Sequence, residues 1–253
     1  MRTVLAVLTL FLATAATAAG ETYAVMSLVG DGLLIVRHRA TTGTSLEGNA
    51  REFLTVADPV FDRAALLAVD GAVRRVDPSA RVVLLGGRDP ALLEAQSRAL
   101  GREDAAQAIA DALRPRLPAT GATRLILVVK ARHPAEIQVP QLSDSRVGSG
   151  SIEGLGYYID PSLAAVSRGS STIADANTGF LAPFAYFTVA LVDLKGGKVL
   201  GERPVYAATA IPESESATLS PWDALTPEKK VSIVEDLVRR EVAQAVPALL
   251  APR

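Results

Sequence analysis

The stretch Arg124–Lys130, RLILVVK, holds five consecutive aliphatic residues between two cations. A run of that length and content is a strand. It has no polar position to turn toward water, so it belongs in the middle of a sheet with both faces covered. Faces are covered most simply by helices, which points to a layered α/β domain. A shorter run of the same kind, RVVLL, occupies residues 81–85.

Helix signals flank these strands. Asp58-Pro59 has the cap-then-proline form of a helix start, and Phe61, Ala65, Ala68, Ala72 and Val76 follow at helical spacing up to Asp77-Pro78. Gly86-Gly87-Arg88-Asp89-Pro90 leads from RVVLL into a second capped helix, which breaks at Gly101 and resumes over residues 103–113 with Ala105, Ile109, Ala112 and Leu113 on one stripe. Thr226-Pro227 caps a last helix of about 20 residues, buried along Val231, Val234, Val238, Val242 and Val246 with Leu237 beside them, and Trp222 is placed to pack on it.

Two hairpins complete the pattern. Tyr23–Leu28 and Leu33–Arg39 are apolar runs separated by Gly30-Asp31-Gly32, read as an N-terminal β-hairpin. Phe184–Leu194 and Val199–Ala207 surround Lys195-Gly196-Gly197-Lys198 and read as another. Between residues 134 and 183 the composition shifts to Ser, Gly and Asp, as in GSGSIEGLGYYIDPS (148–162) and SRGSSTIADANTG (167–179). That span is too long for an ordinary connection and reads as a polar insertion, a partner loop or a lid. The expected fold is therefore α/β (or α+β): a single mixed sheet with helices packed across it, an N-terminal β-hairpin and a C-terminal amphipathic helix.

The chain opens MRTVLAVLTLFLATAATAAGETYAV, with one cation, an uncharged run and Ala16-Thr17-Ala18 in the small-x-small position. Residues 1–19 read as a secretory signal peptide, too short for a membrane span, leaving 20–253 as one domain of the periplasm. There is no cysteine among the 253 residues, which excludes disulfides, thiolate chemistry and lipidation of an N-terminal Cys. No other uncharged run is long enough to span a membrane after signal cleavage. Without Arg2 the charges fall to 25 basic against 27 acidic, and the cations are scattered, so no nucleic-acid footprint exists.

Chemistry-bearing motifs are sparse. Gly30-Asp31-Gly32-Leu33 approaches the Gly-Asp-Ser-Leu motif of a hydrolase family, but Gly32 stands where the nucleophile is needed, and Lys130 stands three residues before His133 where an Asp is needed. No Gly-x-Ser-x-Gly, Ser-x-x-Lys or His-Glu-x-x-His occurs, and His38 and His133 are the two histidines. No catalytic or metal set is assigned, and no cofactor is expected. The candidate ligand or partner positions are Arg88 and Asp89, at a helix start where free N–H groups attract anions, and Tyr157 and Tyr158, aromatic residues among small polar ones.

The order of elements, and Val189–Leu200 (VALVDLKGGKVL) in particular, resembles the α/β fold of exported bacterial envelope proteins: the curli-secretion lipoproteins, the lipoprotein activators of penicillin-binding proteins and the amino-terminal domain of the Tol translocation protein. The chain departs from several of these in lacking the lipid-bearing Cys. The resemblance implies a non-catalytic module working through protein contacts. The expectation is a soluble periplasmic protein that binds or assembles with another envelope component. The alternative is a hydrolase or small-ligand binder with a cleft near Asp31, Arg88, Asp89 and His133. A third reading, a subunit that only assembles, would give a homo-oligomer.

Overall fold

The computed structural model describes residues 20–30, 32–39, 48–87, 89–117, 120–140, 146–164, 178–211 and 221–251. The leader read at 1–19, the candidate residues Asp31 and Arg88, and parts of the 134–183 stretch lie outside them.

The strands in chain order are β1 (Thr22–Ser27), β2 (Gly32–Arg37), β3 (Ala50–Thr55), β4 (Arg81–Leu85), β5 (Arg124–Lys130), β6 (Arg132–Pro134), β7 (Ile137–Gln138), β8 (Arg146–Val147), β9 (Ser151–Ala164), β10 (Thr178–Asp193) and β11 (Lys198–Ala208). The helices are α1 (Val60–Val76), α2 (Pro90–Ala99), α3 (Ala105–Leu113) and α4 (Pro227–Leu250). Hydrogen-bonded neighbours in the main sheet run β3-β2-β9-β10-β5-β1-β4, with β11 on β10 and β6 on β9. The sheet is mixed, and β5 is interior as RLILVVK predicts, lying between β1 and β10 with Leu125 to Val129 all at 0% exposure.

The register makes the sheet simpler than that order suggests. Strand β10 pairs over residues 178–186 with β9 and over 187–193 with β5, while β11 takes its other side over 184–193. Strands β9 and β5 thus lie end to end along one side of β10. Strand β1 runs parallel to β5 and β2 runs parallel to β9, so β1 and β2 also follow each other along one line.

An N-terminal antiparallel hairpin is present, but its arms are β2 and β3 rather than β1 and β2. The Gly30-Asp31-Gly32 stretch joins two successive strands that point the same way. Leu28 N–H continues the ladder to Val128 O at 2.9 Å, and Val29 and Gly30 then donate their N–H groups to Asp62 Oδ1 of α1 at 3.0 and 3.1 Å. Ser27, fully buried, donates its hydroxyl to the same oxygen at 2.6 Å. A carboxylate brought in from α1 therefore holds the break open, where a hairpin would have bonded the two strands to each other.

The stretch read as an insertion is also different where it is described. Residues 151–164 form β9, between β2 and β10 in the sheet, and Ile152, Leu155, Tyr157, Tyr158 and Ile159 are all buried. Its glycines serve close packing. A Cβ on Gly156 would stand 1.9 Å from Leu34 O of β2.

One face of the sheet carries α1 and α4, which bury Val25, Ile35, Ile126, Tyr157 and Phe187. The opposite face is shared. Helices α2 and α3 cover its β1–β5 half over Met26, Leu28 and Leu127, and the β6–β8 region covers its β2–β9 half over Val36, Tyr158 and Phe184. Buried Gln96 of α2 ties the ends of β1 and β5 together, donating to Leu28 O at 2.7 Å and accepting from Lys130 N–H at 3.0 Å.

Helix starts follow the local signals closely. Asp89 caps α2 by accepting from Ala91 N–H at 2.9 Å, and Thr226 caps α4 by accepting from Lys229 N–H at 3.3 Å. Helix α1 begins one residue later than expected: Pro59 stands at its cap, and Asp58 pairs with Arg63 at 3.4 Å. The expected α4 face is buried at Val234, Leu237, Val238, Val242 and Val246.

Trp222 packs on α4, with Lys230 Nζ 3.9 Å from its ring centroid and the Tyr157 ring edge-on at 5.7 Å. Tyr157 donates its hydroxyl to Lys230 O at 2.7 Å, and burial pushes its pKa up from the ordinary value. Tyr23 is pushed up from 10.0 to about 12, first by burial, then by the hydrogen bond and charge of Glu21. Both native phenols keep their protons at pH values where the unfolded chain loses them. Their contribution to stability is therefore complete below pH 10 and is lost as the pH rises toward 12. Urea unfolding followed between pH 8 and 11.5 should show this fall, and Tyr157→Phe should make it shallower. An unchanged slope in the variant would contradict it.

Candidate binding groove

Strand β11 forms the edge of the sheet beyond β10, and a groove of about 520 Å³ runs along its second half. Helix α4 supplies one wall through Arg240 and Gln244, and β7 and β8 with their neighbours supply the other through Glu136 and Arg146. Arg203 and Tyr206 of β11 lie between them. A second hollow of about 270 Å³ reaches Tyr206 from the α3 side, lined in part by Arg102, Lys130, Arg132 and Glu202. Burial raises the Glu202 carboxyl above its usual range.

The cations of the groove are held by specific acceptors. Arg203 donates to Ala248 O at 3.2 Å, Arg240 donates to Glu241 at 3.0 Å, and Arg146 pairs with Glu136. Tyr206 is held by ring contacts: it stacks on His133 of β6 at 4.1 Å and meets Tyr186 at a tilt with the ring centroids 5.3 Å apart. Tyr186 in turn accepts Glu136 N–H at 3.1 Å, and burial raises its phenol. The groove thus has an aromatic floor with a rigid backing and polar walls of both signs.

Backbone geometry decides what this edge can accept. Tyr186 O of β10 accepts from Ala131 N–H, so the peptide groups of Tyr186 face away from β11. Its partner Tyr206 must then turn its own N–H and C=O outward, and Glu202 and Pro204 share that orientation by alternation. Pro204 has no N–H to offer. At the end of the strand, Ala210 N–H donates to Gln138 O at 2.8 Å, which places β7 against the edge. Those two features blunt the edge against an added strand, leaving side-chain recognition as the use of the groove.

The residues singled out from the sequence are scattered by comparison. Tyr157 and Tyr158 are both 0% exposed and enter cores on opposite faces of the sheet. Asp89 caps α2. His133 alone of the described candidates adjoins the groove, through its stack on Tyr206. Arg146, Arg203, Tyr206, Arg240 and Gln244 carried no signal as a set, because distant segments supply them. Pro204 inside an otherwise good strand was the one available sign of an edge.

His38, Asn49 and Ser149 come together in a way that superficially suggests a hydrolase. Ser149 Oγ lies 2.8 Å from His38 Nδ1, between Gly148 and Gly150, both at positive φ. Asn49 Oδ1, however, meets the same Nδ1 at 3.2 Å. A proton relay needs the hydroxyl and the orienting group on opposite ring nitrogens. Asn49 Nδ2 also donates to Ser149 O at 2.7 Å, and Tyr158 OH accepts Ser149 N–H at 3.0 Å, so the cluster works as a clasp between β2, β3 and the start of β9.

Among the described residues, no group of three or more His, Cys, Asp or Glu side chains is arranged to hold a metal. No helix among them is long and apolar enough to cross a membrane.

No protein-family model matches the chain, and no curated protein matches it. Among solved structures it is similar to protein XCC0632 of Xanthomonas campestris, of family DUF330, at 10% identity and a TM-score of 0.36, over 92% of this chain and 88% of that one. It is similar also to a PelC dodecamer from Paraburkholderia phytofirmans at 11% identity and a TM-score of 0.29, over 93% and 91% of the two chains. At these scores the likeness carries no weight for fold or function.

Proposed function

We propose that this chain is an exported, non-catalytic protein of the periplasm that binds another component of the cell envelope through the groove beside β11. The observation that carries the reading is the groove itself: a stacked aromatic floor at Tyr206, walls holding Arg146, Arg203 and Arg240 with Glu136 and Glu241, and an edge closed to strand addition. A mixed-charge lining suits a polar protein surface, which can offer carboxylates and donors together. It suits nucleic acid poorly, because a phosphate backbone calls for an excess of cations.

Pull-down from envelope extracts tests the proposal, comparing the purified chain with the double variant Arg203→Glu, Arg240→Glu. Loss of a retained protein in the variant is expected. Retention of the same set by both would remove the groove from the interface.

A further inference from the structure

Besides β11, strands β3 and β4 end the sheet, each hydrogen-bonded on one side only among the described residues, and β3 is built differently from β11. Strand β3 carries no proline and no bulge and is exposed along its length, with Phe53 at 50% and Leu54 at 36%. An edge with no proline or bulge that exposes Phe53 and Leu54 is a template for another strand, provided its charges are accommodated.

The groups it offers follow from β2. His38 N–H donates to Ile159 O of β9 at 2.7 Å, so the even-numbered residues of β2 turn their peptide groups toward β9 and Leu33, Ile35 and Arg37 turn theirs toward β3. Their opposite numbers Leu54, Glu52 and Ala50 spend their peptide groups on β2. Arg51, Phe53 and Thr55 therefore face outward. This outward set is symmetric about Phe53, and every member keeps its N–H.

We propose that β3 pairs with β3 of a second copy of this chain, antiparallel about a two-fold axis through Phe53, so that one sheet runs across both subunits. In that register Phe53 exchanges two backbone hydrogen bonds with Phe53 of the other copy, and Arg51 stands opposite Thr55 on either side. Glu52 stands opposite Leu54, and no like charges meet. The ionised side chains already have partners away from the axis, since Arg51 donates to Ser151 O at 2.6 Å and Glu52 lies 3.9 Å from Arg37. A head-to-tail contact of β3 would meet Pro204 and β7 at β11, and at β4, where Arg81 N–H bonds Glu21 O at 3.0 Å, the strand turns only Val82 and Leu84 outward. The isologous contact has no such obstacle and closes on itself. One short strand pair and two aromatic rings form a small interface, so association depends on concentration.

The chain has no cysteine, which makes a single introduced thiol a clean probe. A hydrogen-bonded antiparallel pair holds its Cα atoms about 5.5 Å apart, within disulfide reach. Phe53→Cys should give a disulfide-linked dimer under mild oxidation, whereas Leu54→Cys, which faces Glu52 and not itself, should not. In sedimentation velocity the unaltered chain should shift from monomer to dimer as its concentration rises toward about 1 mM. Phe53→Pro should weaken that shift at least tenfold, because it deletes an outward N–H and leaves the ladder to β2 whole. If Phe53→Pro fails to fold, the cysteine pair decides. A monomer at every concentration, a dimer indifferent to Phe53→Pro, or equal cross-linking at 53 and 54 would overturn the proposal.

Discussion

Gly156→Ala is expected to cost about 4 kcal/mol or more of stability, enough to stop most of the chain from folding. A Cβ at this position would stand 1.9 Å from Leu34 O, 2.7 Å from Leu34 C and 2.8 Å from Leu34 N. All three are backbone atoms of β2, so no side-chain rotation relieves the clash. Strands β2 and β9 would have to separate, and with them would go the register that puts Ile35 beside Tyr157 and Val36 beside Tyr158. Urea unfolding of the purified variant, or its failure to accumulate as folded protein, measures the effect. Near-normal stability would show that the two strands can part cheaply.

Asp62→Ala is the second large effect, expected at about 2–4 kcal/mol. One carboxylate oxygen takes the Ser27 hydroxyl and the Val29 and Gly30 N–H groups, and Ser27 and Val29 are fully buried. Alanine removes the acceptor and leaves those donors away from water. Gly30 is matched to this arrangement, since a Cβ there would lie 2.5 Å from Asp62 Oδ2. Asp62→Asn keeps an acceptor oxygen while losing the charge, so its cost should be smaller, at about 1 kcal/mol. Equal losses from Ala and Asn would mean that charge, rather than acceptor count, holds the break between β1 and β2.

These two sites show why part of the architecture was illegible in the chain alone. Gly30-Asp31-Gly32 has the composition of a hairpin turn, and nothing local distinguishes a turn from a pause between two collinear strands. Asp62, 32 residues beyond Gly30, makes the difference. Likewise GSGSIEGLGYY has the composition of a solvent-exposed loop, yet Gly156 is small because β2 passes against it. Glycine marks both mobile chain and tight approach, and only the neighbour across the sheet tells which. The tyrosines beside it looked like contact residues because their flanks were polar. Each strand residue faces its own side of the sheet, and here both sides are covered.

What the sequence determined by itself was local or periodic. RLILVVK marked an interior strand because it has no polar face. Asp89 and Thr226 marked helix starts because a cap needs only the next turn of its own chain. The valine spacing after Thr226 marked the buried side of α4. The tertiary structure decided which strands are neighbours, which of them end the sheet and how each edge is blunted or left open, and which side chains meet around Tyr206. Those are pairings between residues far apart in the chain, set by packing of the whole sheet against its helices, and no local pattern encodes them.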